Sequence, residues 1–109
     1  MKFKKALFLA TFVFFGGSLF TVSALADSFS NKKYSVTIGN YNSYYGCAPS
    51  GCLYIAEPNI VESGGTYYEW KNKGYRYIMK ALDKRRTKYR LMVYTPRGKR
   101  IVRQILYRD

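Results

Sequence analysis

"TYYEWKNKGYRYIMKALDKRRTKYRLMVYT", residues 66–95, decides the fold. Two runs within it alternate. In the first, Tyr75, Tyr77, Met79 and Ala81 stand against Arg76, Ile78, Lys80 and Leu82; in the second, Tyr89, Leu91 and Val93 stand against Lys88, Arg90, Met92 and Tyr94. A period of two is that of a β-strand, whose successive side chains point to opposite faces. Asn72-Lys73-Gly74 supplies a hairpin turn before the first run. With 83–87 as the second loop, Leu82 faces Lys88, Lys80 faces Arg90, Tyr77 faces Val93, Met79 faces Leu91 and Ala81 faces Tyr89. This register gives one apolar face and one mixed face carrying Arg76, Lys80, Lys88 and Arg90. A slip of one residue would scramble both. The register sets two cations opposite each other, a repulsion that an anionic ligand would relieve.

The flanking sequence extends the pattern. "NKKYSVTIGN", residues 31–40, alternates Tyr34, Val36 and Ile38 with polar residues and predicts a strand. "CLYIA" predicts a short strand, and "EPNIVESGG", residues 57–65, predicts a loop punctuated by Pro58 and Gly64-Gly65. In residues 99–107, Ile101-Val102 and Ile105-Leu106 recur at helical spacing. The preceding Thr95-Pro96-Arg97-Gly98 turn and the β-branched pair favour a strand with a bulge near Arg103. The expected fold is all-β: a small antiparallel sheet or meander of about five or six strands, curling toward a barrel.

The N-terminus has a different grammar. "MKFKK" is basic, residues 6–20 are apolar, and Ala24-Leu25-Ala26 places small residues where signal peptidase reads them. Residues 1–26 therefore read as a signal peptide cleaved near Ala26, leaving residues 27–109 as a single small secreted β domain, extracellular or periplasmic. The alternative is an uncleaved anchor, but a span takes about 20 apolar residues, and Gly16-Gly17 interrupts this run.

Export bears on Cys47 and Cys52, the only cysteines. They flank Ala48-Pro49-Ser50-Gly51, a turn sequence. In an oxidising compartment the expected product is a disulfide, contributing about 2 kcal/mol by loop entropy. Two free thiols are the alternative. A structural zinc site needs four ligands, and the chain has no histidine.

Charge points to a partner. The full chain is +13; without Lys2, Lys4 and Lys5, 16 basic residues face 6 acidic ones, or +10. Residues 27–70 carry −2, with two basic residues against four acidic; residues 71–109 carry +12, with fourteen against two. Such a field attracts polyanions. Arg and Lys alternate with Tyr in "YRYIMK" and "TKYR", so that cations could meet phosphate or sulfate while rings stack on sugars or bases. The candidate binding residues are Arg76, Lys80, Lys88, Arg90, Arg100 and Arg103, with Tyr75 and Tyr77. The expected partner is an anionic envelope or extracellular polymer: polysaccharide, lipopolysaccharide or phospholipid. The plainer reading is that these charges keep a tyrosine-rich surface in solution.

Absence of histidine removes the usual general base and the common nucleophile pairs. No cofactor, metal or catalytic residue is implied, and the chain reads as non-enzymatic. The enzyme alternative is a small secreted nuclease, with Glu69 as base and Arg76, Lys80 or Arg90 steadying a phosphate. Otherwise Glu69 reads as a solvated strand residue.

"ESGGTYYEWKNKG", residues 62–74, resembles the periplasmic lysozyme inhibitors of the MliC/PliC type, small secreted β-barrels. The resemblance implies lysozyme as a partner, with Ser63 and Lys73 as the inhibitory residues. Two residues separate Trp70 from Lys73 where that motif has one. A basic chain is also repelled at long range by a basic lysozyme. The combination "SYYGC…CLYI…YEWKNKGYRY…LYR" resembles short secreted proteins of cyanobacteria with no assigned function. It implies a small exported domain and no activity.

Overall fold

Nine strands follow one another: β1 (Asp27–Ser30), β2 (Ser35–Ile38), β3 (Tyr44–Ala48), β4 (Gly51–Ile55), β5 (Ile60–Glu62), β6 (Tyr67–Asn72), β7 (Tyr75–Ala81), β8 (Lys88–Tyr94) and β9 (Arg100–Arg108). They come from a computed structural model in which residues 26–109 are described. The segment read as a signal peptide therefore lies outside the described residues, except for Ala26. All-β and antiparallel are as expected; five or six strands is an undercount. The surplus is short. β1 has four residues and a single apolar one, Phe29. β5 has three, inside the stretch expected to be a loop. A three-residue strand, or one with a single apolar residue, shows too little of a period to be read.

β7 and β8 pair in the register that alternation requires: Tyr77 opposite Val93, Met79 opposite Leu91, Lys80 opposite Arg90 and Ala81 opposite Tyr89. The Leu82 N–H donates to the Lys88 carbonyl at 2.8 Å. Asp83 closes the loop by accepting from the Thr87 N–H at 2.9 Å and from the Thr87 hydroxyl. The β6–β7 turn is tight. Lys73 and Gly74 both have positive φ, 54° and 84°, the pair of values that a two-residue hairpin turn matched to strand twist demands. This turn sets Asn72 opposite Tyr75 and Lys71 opposite Arg76.

The residues 99–107 form a strand, as the turn and the β-branched pair favour. Its bulge lies at Ile101, two residues before the expected place: Val102 pairs with Val93, Arg100 pairs with Tyr94, and Ile101 is left over.

The sheet order is β4-β3-β2-β1-β9-β8-β7-β6-β5. The first and last strands meet in the middle, at β1–β9, and the free edges belong to β4 and β5, which are neighbours in sequence. The sheet curls into a half-barrel and brings β4 into contact with β6. Inside the curl lies the core: Phe29, Val36, Ile38, Tyr44, Tyr68, Trp70, Met79, Tyr89, Leu91, Val93 and Leu106. Burying an apolar side chain such as Val36, Met79 or Leu106 contributes about 1.5–3 kcal/mol.

Trp70 joins the two arms. It is 0 % exposed. Its ring lies 5.4 Å from Tyr68 in a stack and 4.9 Å from Tyr44 across the curl. Its Nε1–H donates to the Asn42 carbonyl at 2.7 Å, so the one polar atom of the indole is not left unpaired. Cys47 and Cys52 stand opposite each other on β3 and β4 and are joined by a disulfide. Among the described residues no helix is long and apolar enough to cross a membrane.

Candidate functional site

Because one face of β6–β9 is spent on the core, the other is free to carry function. Strand pairing arranges it in three cross-strand rows. Tyr67, Lys80, Arg90 and Ile105 form one; Glu69, Ile78, Met92 and Arg103 the next; Lys71, Arg76, Tyr94 and Arg100 the third. Lys88, two residues before Arg90, faces the same way, opposite Tyr107. Seven cations thus share this face, and Glu69 is its one acid among the described residues.

Two like-charged pairs stand directly opposite, Lys80 with Arg90 and Lys71 with Arg76. Each costs stability in the free protein. Part of the third row is relieved internally. The Arg76 guanidinium lies 4.9 Å over the Tyr94 ring, a cation–π contact, and 3.5 Å from Glu69 Oε1. The first row has no acid. The Nε of Arg90 is buried with no hydrogen-bond acceptor among the described residues.

The bulge decides where Arg100 points. Three residues apart on a regular strand, Arg100 and Arg103 would face opposite ways. Skipping Ile101 sets Arg100 opposite Tyr94 and so beside Arg103 on the cationic face. This is the re-aiming that a bulge performs.

Of the residues anticipated from sequence, Arg76, Lys80, Lys88, Arg90, Arg100 and Arg103 come together. Tyr75 and Tyr77 do not join them. Tyr77 pairs with Val93 and Trp70 on the inner face, and Tyr75 is two residues away on the same side. The tyrosines that do stand among the cations are Tyr67, Tyr94 and Tyr107. Lys71 was missed, although the hairpin turn at Lys73-Gly74 fixes it opposite Arg76. Lys73, Arg97 and Lys99 extend the field at the turn tips. The β6–β7 and β8–β9 turns touch there, since a Cβ at Gly74 would lie 3.1 Å from the Pro96 Cβ.

Glu69 is not solvated. It is 4 % exposed, because β5 pairs across it, Ile60 opposite Glu69. Its carboxylate accepts from the Tyr67 hydroxyl at 3.0 Å and from Asn59 Nδ2 at 3.4 Å. Burial, and then the hydrogen bond to this carboxylate, hold the Tyr67 hydroxyl above its ordinary pKa. Glu69 and Arg76 do stand together, as a nuclease reading needs, but the carboxylate is engaged and covered. Ser63 and Lys73, the pair implied by the lysozyme-inhibitor resemblance, flank β6 at its two ends, about 20 Å apart at 3.3 Å per strand residue.

No family model, no curated protein and no solved structure matches the chain.

Proposed function

We propose that the protein is a non-enzymatic binding module, secreted or periplasmic, whose β6–β9 outer face engages an anionic envelope or extracellular polymer. One observation carries the reading: seven cations and one acid on a single face of four consecutive strands, including the like-charged pairs Lys80–Arg90 and Lys71–Arg76. A run of anionic groups laid along the rows would convert these repulsions into attractions. Met92 in the middle row, and the stems of the long cations, give the polymer a partly apolar floor. The disulfide is compatible with an oxidising compartment.

The test is binding of the oxidised protein to lipopolysaccharide, anionic phospholipid vesicles, an acidic polysaccharide and a neutral glycan, followed by sedimentation over a salt series. Trp70 fluorescence is a poor reporter here, because the indole lies in the core behind this face. Binding to an anionic polymer should weaken steeply with salt, with a log–log slope near −0.9 per contact for a dense phosphate polymer. Lys80→Glu with Arg90→Glu should abolish it at moderate salt. Equal binding to the neutral glycan, or indifference to salt, would refute the proposal.

A further inference from the structure

At one end of the half-barrel the core does not fill the curl. A cleft of about 390 Å³ opens there, within the range of small-molecule sites, which favour barrel mouths. It lies where the β3–β4 and β6–β7 hairpins meet the start of β9. Leu53 and the rest of the β3–β4 hairpin form one wall, Leu91, Val93, Ile101 and Val102 the other, and four tyrosines and Asn72 line the space between. No lining residue carries a charge, although cationic turn tips stand nearby.

The four rings belong to Tyr34, Tyr44, Tyr75 and Tyr77, and none of their hydroxyls has a hydrogen-bond partner among the described residues. Tyr44 is the telling one. It is 4 % exposed, and its ring folds along β3 so that the hydroxyl rests on Gly46, itself part of the lining. A Cβ at that glycine would lie 2.2 Å from the Tyr44 oxygen. The Tyr44 hydroxyl has no protein partner among the described residues yet is not sealed in, since it keeps some accessible surface; it faces the cleft as a group that an entering molecule can meet in place of water. Burial, and then the neighbouring Tyr77, push the Tyr44 hydroxyl well above its usual pKa. It is therefore a neutral group at physiological pH, able both to donate and to accept.

The geometry points to a binding site, inside the half-barrel mouth, for a small neutral aromatic molecule bearing one or two hydroxyl or carbonyl groups. The ring would lie against Leu53, Val102 and the tyrosine faces, and its polar substituent would meet Tyr44 and Tyr77. A charged ring finds no counter-ion in the lining. A free sugar would press some of its hydroxyls against Leu53, Leu91, Val93 and Val102, which offer them no partner. This site faces away from the cationic rows and does not depend on them.

Para-cresol is the probe, added to the oxidised protein without polymer. Readouts are Trp70 emission, since its ring lies 4.9 Å from Tyr44, and the amide signals of Gly46, Leu53 and Tyr75. A saturable one-site shift is expected, with benzoate and methyl glucoside binding at least tenfold more weakly. Tyr44→Phe should weaken para-cresol about tenfold, a difference of about 1.4 kcal/mol, and leave toluene unchanged. Leu53→Trp and Ile101→Trp fill the cleft from opposite walls, and the one whose thermal unfolding matches the parent should lose the site; Ile101 is exposed on its bulge and tolerates the change more readily. No saturable shift, tighter binding of benzoate or the glucoside, or undiminished binding in a folded filled-cleft variant would each overturn the assignment.

Discussion

The two arms of the sheet share an inner face and differ on the outside. In β1–β4 the outward positions hold Ser28, Ser30, Ser35, Thr37, Tyr45 and Tyr54, and this arm has no cation on any strand. In β6–β9 the equivalent positions hold the seven cations. Inward, Val36, Ile38 and Tyr44 of one arm meet Trp70, Met79 and Leu91 of the other in one core. The inner face is dictated by the need to close the curl. The outer face is not needed to close the curl, so the crowding of unpaired charge on one arm has to be explained from outside it.

Severing the joint between the arms has the largest effect. Trp70→Ala removes the ring that touches Tyr44 and Tyr68, along with its hydrogen bond to Asn42. A loss of about 3–5 kcal/mol is expected, read as a shift of the urea midpoint at unchanged slope. Next comes the staple of the neutral arm. Cys47→Ser with Cys52→Ser should cost about 2 kcal/mol and leave the salt slope of polymer binding untouched, because neither cysteine lies on the cationic arm. A changed slope would mean that the arms are not separable.

The charge contrast itself is sharpened by paired reversals. Arg103→Glu should weaken polymer binding and lower the salt slope, whereas Lys33→Glu, in the turn between β1 and β2, should do neither. Affinity at several salt concentrations separates the two. The smallest effect is expected at Asp83. The Thr87 hydroxyl, and then the Thr87 and Lys88 amides, hold its carboxyl below its ordinary pKa. Its stabilisation is complete above the unfolded value of about 4 and is lost as pH falls through the depressed folded value. Asp83→Asn should flatten that acid limb slightly in a series of thermal scans.

Alternation over seven residues made the β7–β8 register legible, and with it the neighbourhood of Arg76, Lys80, Lys88 and Arg90. The same alternation argues against grouping Tyr75 and Tyr77 with those cations. In a strand, adjacency in sequence means opposite faces, so the pattern "YRY" separates its rings from its charge. Lys71 was legible too, through a turn that only Gly74 makes easy. What stayed hidden was short or non-local. β5 is three residues long and shielded by Pro58 and Gly64-Gly65, and without it nothing could announce that Glu69 is covered. The exact bulge residue depends on how Val93 and Val102 pair, and the cleft depends on the whole curl, which no single strand encodes.

The seam between β1 and β9 has a consequence in time. Every other pairing in the sheet joins strands consecutive in the chain. This one joins Phe29 to Arg108 and is fastened by Arg108 and Asp109: Arg108 Nη1 to Asp27 at 2.8 Å, and the Asp109 N–H to the Ser28 carbonyl at 2.9 Å. Local hairpins close quickly, and pairings between distant segments close late. A nascent chain can therefore build its two arms as separate ribbons but cannot lock them until β9 is free. Until then it is a thread with hairpins in it, and β9 is the segment that joins the two arms.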